Sequence, residues 1–142
     1  MCTYCGCRNL TLIRRLSDEH DAIVNALGVL RRAASNSDAE ESRLAAQQLA
    51  DLLDPHTSGE EHSLFAELSS DPEFAEHVAA LCDEHREITE QLSAVIQGDV
   101  AGVPSLETLL RAHIDREENG LFPAAAIALD GPAWERLAAP AP

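Results

Sequence analysis

Two stretches of this chain repeat each other in order and spacing. Asp18-Glu19-His20-x-x-Ile23 recurs as Asp83-Glu84-His85-x-x-Ile88, and His56-xxx-Glu60-Glu61-xx-Leu64-Phe65 recurs as His113-xxx-Glu117-Glu118-xx-Leu121-Phe122. Each half therefore reads DEHxxI and then HxxxEExxLF. Two copies of one hairpin pack about a pseudo-twofold axis, so a constellation at the centre has two equivalent halves.

The repeats lie on helical stripes. Ile13, Leu16, His20, Ile23, Leu27 and Leu30 recur at spacings of three and four, which is one face of a helix. Asn36, Ser37 and Asp38 form a turn and N-cap, and a second stripe runs through Ala45, Leu49, Leu52, His56, Glu60, Leu64 and Leu68 to about Ser69. Pro55 inside it removes one backbone hydrogen bond, which predicts a kink or break beside His56. Asp71 and Pro72 open a third helix along Phe74, Val78, Leu81, His85, Ile88, Leu92 and Val95. After the loop 98–102, Pro104 opens a fourth, carrying Leu106, Leu109, His113, Glu117, Leu121 and Ala124. The expectation is an all-α, up-down-up-down four-helix bundle over 9–129, with a Cys-containing tail 1–8 and a C-terminal tail 130–142 that docks at most a short helix through Trp134 and Leu137.

Composition supports helices, since Ala and Leu together number 42 against 12 for Val and Ile. The formal charge of −15, with ten arginines and no lysine, repels phosphate backbones and anionic lipid and argues against nucleic-acid or membrane-surface partners. No apolar run approaches the ~20 residues needed to cross a bilayer, and Met1 to Asn9 lacks the apolar stretch of a secretory signal. A cytoplasmic protein is expected.

Residues four apart share a helix face, so His56 with Glu60 and His113 with Glu117 each present an imidazole and a carboxylate inward, while His20 and His85 come from the other two helices. Four imidazoles and two carboxylates then sit where an apolar core belongs, and unpaired charge there is heavily penalised. A metal removes the penalty. Duplicated ligand sets point to two ions bridged by Glu60 and Glu117, with coordination positions left open for water, dioxygen or peroxide. Mixed imidazole and carboxylate donors suit iron, zinc and manganese, and a dinuclear core with open positions fits iron best. His62 points away from the Glu60 face and His77 lies two turns from His85, so both belong on the surface.

The ordered pattern H, HxxxE, H, HxxxE resembles the hemerythrin-like, or HHE cation-binding, domains over about Leu10 to Leu129. The resemblance implies a four-helix bundle with two non-heme iron ions, oxo- or hydroxo-bridged, held by His20, His56, Glu60, His85, His113 and Glu117. It also implies a small oxidant as partner, whether dioxygen, hydrogen peroxide or nitric oxide, with peroxide decomposition as the enzymatic form. The positions one turn from His85 are Leu81 and Thr89, so the second third-helix histidine of the oxygen-carrying hemerythrins is missing here.

Leu64 and Leu121, one turn beyond the carboxylates and backed by Phe65 and Phe122, should form an apolar lid. Cys2, Cys5 and Cys7 could supply thiolates to a second, thiophilic metal or act as a redox switch. On a straight first helix Cys7 stands ~20 Å from His20, too far to join the histidine cluster. The alternative function is an iron, oxygen or redox sensor that signals to a protein partner through this tail. Cys82 reads as a small core residue.

Overall fold

The structure is a computed structural model, and it describes residues 10–138. Among these there is no strand, and helices follow one another with short turns. They are α1 (Thr11–Ser35), α2 (Ala39–His62), α3 (Leu64–Ser69), α4 (Pro72–Ile96), α5 (Val103–Arg116), a single π-helical turn (Glu117–Leu121), α6 (Phe122–Ala128) and α7 (Gly131–Ala138). Packing contacts run from α1 to α2, α2 to α4, α4 to α5 and α5 back to α1, so the four long helices enclose a common interior.

The caps anticipated from sequence are in place. The Asp38 side chain accepts from the Glu41 backbone N–H, and that of Asp71 accepts from Glu73, with Pro72 in the first turn behind it. Ser37 at φ 55° completes the reversal between α1 and α2, and Gly98 at φ 116° makes the turn after α4. The second of these is a conformation that glycine adopts without a steric cost. A 3₁₀ turn at Val100–Gly102 then leads into α5.

Three expectations are corrected. First, α2 is helical through Pro55, which lies on the exposed face, where water can take the carbonyl it leaves unpaired. The break falls instead at Ser63, at φ −122° and ψ −95°, so α2 stops at His62 and α3 carries Leu64 and Leu68. Second, Leu53 faces the core in α2 while Leu52 is 39% exposed; two adjacent leucines left the stripe undecided by spacing alone. Third, the fourth helix is interrupted by the π turn, and the buried positions are Leu110 and Ala125, with Leu109 half-buried and Ala124 exposed.

Buried apolar residues form two separate clusters. One holds Leu27, Leu30, Leu49, Leu53, Leu92 and Leu106; the other holds Leu16, Leu64, Phe65, Leu81, Leu121 and Phe122. Trp134 and Leu137 of α7 pack against the second, as a short docked helix would. Cys82 is half-buried at its margin. The thiols of Cys2, Cys5 and Cys7 lie outside the described residues.

Candidate metal centre

All six polar residues of the helical stripes come together. His20, His56, Glu60, His85, His113 and Glu117 are each at most 4% exposed. Their ligand-type atoms form two groups that could each hold a cation: His20, His56, Glu60 and Glu117 in one, and Glu60, His85, His113 and Glu117 in the other, with atoms within 4.8 Å of one another. The two carboxylates belong to both groups. His62 and His77 are exposed and outside both, as their spacing indicated.

The pseudo-symmetry of the sequence is visible in the rings. His20 and His56 stand 4.7 Å apart centre to centre, and so do His85 and His113. Phe122 stacks on His20 at 5.7 Å with planes 6° apart, and Phe65 stacks on His85 at 5.5 Å and 7°. Leu64 and Leu121 are fully buried beside them. The anticipated lid is present, and its phenylalanines touch the imidazoles directly.

What sequence reasoning missed is the shell of carboxylates outside the histidines. His56 Nδ1 is 2.7 Å from Glu19, His85 Nδ1 is 2.9 Å from Glu61, His113 Nδ1 is 2.7 Å from Glu84, and His20 Nδ1 is 3.2 Å from Glu118. A carboxylate can only accept, so each Nδ1 carries a proton and each Nε2 is the ring atom that turns inward. Glu118 also accepts from the Ser17 hydroxyl at 2.9 Å, and Arg116 reaches Glu84 at 2.6 Å. The signal was in the motif itself: the glutamate before each first histidine and the second member of each Glu-Glu pair are repeated as faithfully as the inner six residues.

The inner atoms pass a test of fit for cations. His56 Nε2, His85 Nε2, His113 Nε2, both oxygens of Glu60 and one oxygen of Glu117 are buried without a hydrogen-bond partner, and His20 Nε2 meets Glu117 at 3.0 Å. Native interiors satisfy nearly all such atoms. The three imidazole nitrogens lie 3.2–3.4 Å from the Glu60 and Glu117 carboxylates, so the buried set calls for positive charge, as protons or as bound cations.

The pKa shifts of the side chains alone point the same way. Burial works to raise the Glu60 pKa, but His56 and His85 outweigh it and hold the carboxyl well below its usual range. Burial, then the charge of Glu60, pushes Glu117 well above that range, so the pair retains a proton that a cation would displace. Burial also lowers His56, yet Glu19 and Glu60 prevail and raise it to about 9. His113 is brought down to about 4 by burial and then by His85.

The family model of the hemerythrin HHE cation-binding domain matches residues 11–125. The chain belongs to this family. Hemerythrin-type domains bind metal ions, typically iron, and the two His/Glu groups described above are where this one could do so. No curated protein and no solved structure matches the chain. Within the hemerythrin pattern, Leu81 is buried in the second apolar cluster and Thr89 bonds the His85 carbonyl, so neither position one turn from His85 offers a nitrogen. No helix among the described residues is long and apolar enough to cross a membrane.

Proposed function

We propose that this hemerythrin-family protein is a cytoplasmic di-iron protein that binds and reacts with a small oxidant such as dioxygen, hydrogen peroxide or nitric oxide. In this reading the long helices alternate up and down around the site. His20 and His56 would hold one ion and His85 and His113 the other, with Glu60 and Glu117 within reach of both. The observation that carries the reading is the two buried groups of imidazole and carboxylate atoms that share Glu60 and Glu117, several of those atoms without a hydrogen-bond partner.

Bound iron supplies redox chemistry and open coordination positions for a small ligand. The chain supplies the rest. Four imidazoles give nitrogen donors without charge, so only Glu60 and Glu117 neutralise the ions from within. That balance favours low oxidation states, and with them peroxide or nitric oxide chemistry over attack on C–H bonds. Leu64, Leu121, Phe65 and Phe122 close one side with apolar surface, which excludes water and large solutes while leaving room for diatomic molecules or peroxide.

Anaerobic reconstitution with Fe²⁺ tests the assignment. About two irons per chain are expected, with near-ultraviolet charge-transfer bands on oxidation and sustained consumption of added peroxide. Saturation at one metal, or tight zinc binding without iron competence, overturns the di-iron reading. Peroxide loss that stops at one equivalent leaves two irons in place and overturns the catalytic part.

A further inference from the structure

The four outer carboxylates are connected in a closed circuit. Glu19 on α1 meets His56 on α2; Glu61 on α2 meets His85 on α4; Glu84 on α4 meets His113 on α5; and Glu118 on the π turn meets His20 on α1. Each glutamate adjoins an inner residue in sequence and serves the histidine of a neighbouring helix. None serves its own.

We propose that Glu19, Glu61, Glu84 and Glu118 are positioning residues that act on the two ions in pairs, Glu19 and Glu118 on the ion of His20 and His56, Glu61 and Glu84 on the ion of His85 and His113. This rests on the two-ion reading above. The chemical basis is the tautomer. An imidazole that donates Nδ1–H to a carboxylate is fixed with its Nε2 lone pair toward the metal and is made a stronger donor. An imidazole released from its carboxylate can take the other tautomer and aim an N–H at the cation. Each glutamate touches one histidine and each histidine belongs to one of the two groups, so the effect of each falls first on one ion.

The environments of Glu118 and Glu84 argue against incidental surface ion pairs, while Glu19 and Glu61 are partly exposed. Glu118 is only 7% exposed, and the Ser17 hydroxyl completes its hydrogen bonding inside the protein. The position matching Ser17 in the other half is Cys82, which lies beside Glu61, the matching carboxylate. Ser17-Glu118-His20 and Cys82-Glu61-His85 are thus equivalent triads built from opposite ends of the sequence pattern. Glu84 is held from outside by Arg116, which fixes the carboxylate where His113 needs it.

The experiment is equilibrium competition for Fe²⁺ under anaerobic conditions, using the full chain and a chromogenic chelator, with ¹⁵N NMR of the histidine rings of the zinc-loaded protein as a second readout. Each single Glu→Gln variant keeps a hydrogen-bond acceptor but removes the charge, and is expected to weaken one of the two ions by about 10–100-fold. The double variants decide the pairing. E19Q/E118Q should leave one ion near its wild-type affinity and lose most of the other, whereas E61Q/E118Q should weaken both. In Glu61→Ala, which alters a partly exposed side chain and spares the core, the His85 Nδ1–H should exchange with solvent faster while the His20 Nδ1–H stays protected. Two ions bound with unchanged affinity in all Gln variants, or equal behaviour of the two doubles, overturns the positioning assignment alone. Fewer than two ions in the wild-type protein overturns the parent reading and this one with it.

Discussion

The α2–α3 segment and the α5–π–α6 segment carry the same motif, HxxxEExxLF, and build it differently. An α-helix turns by about 100° per residue, so the second of two consecutive glutamates leaves the inner face and turns toward the histidine of a neighbouring helix. In the first segment the departure from α geometry comes only at Ser63, after both glutamates have been placed by regular α-helix, and Glu61 remains partly exposed. In the second it is the π turn over Glu117–Leu121, and Glu118 is drawn inside with Glu117. Both end with a phenylalanine stacked on a histidine. One chemical requirement thus has two backbone solutions, and the π turn is the one that buries the second carboxylate. A wide turn at a functional position fits its general use as a local insertion.

If the halves are equivalent in chemistry despite this difference, the largest effects must be symmetric. His56→Ala and His113→Ala should each reduce iron from about two per chain to one or fewer, while His62→Ala and His77→Ala retain both, as read by metal analysis after gel filtration. A loss confined to one of the two alanine variants would break the equivalence.

A smaller effect should separate the segments. Leu64 and Leu121 are both buried, and truncation of either costs about 2–5 kcal/mol of stability. Leu121, however, also lines a surface groove of about 330 Å³ with Glu73, Phe74, His77, Gly120 and Ala124. Leu121→Ala should therefore open the centre to solvent, and iron should pass to a chelator several-fold faster than from Leu64→Ala. Equal rates would show that the groove is not a route.

The smallest effect is in the pH dependence of metal-stripped protein. The His56 pKa is raised from 6.5 to about 9, so its contribution to stability is complete below pH 6.5 and is lost as pH climbs toward 9. The His113 pKa is lowered to about 4, so protonation of the unfolded chain drains stability as pH falls from 6.5 toward 4. His56→Gln should flatten the alkaline limb and His113→Gln the acid limb in urea midpoints taken across that range. Iron loading should suppress both limbs. Identical slopes in the two variants would mean that the halves are electrostatically alike.

The inner site was legible because its residues are the wrong polarity for their stripe. A histidine or glutamate at a spacing otherwise held by leucine stands out, and the duplication doubled the signal. Capping was legible for a similar local reason, at Asp38 and Asp71. The outer glutamates were harder to read, since Glu19, Glu61 and Glu84 resemble any solvated acidic residue until a neighbouring helix brings a histidine to them. Leu52 against Leu53, and Leu109 against Leu110, were undecided because either member of a leucine pair satisfies the period. The π turn leaves no residue signature in Glu117–Leu121, and Pro55 drew attention away from Ser63, where the chain actually departs from the helix.

The histidine layer also partitions the molecule. The apolar cluster around Leu49 and the one around Leu81 have no member in common, and the polar residues stand between them. A change of side-chain volume on one side is therefore taken up by neighbours on that side, and each cluster can accumulate compensating substitutions without reference to the other. Only the shared layer must be respected by both. Across relatives of this chain, residues within a cluster should covary with one another, while the two clusters drift as independent populations.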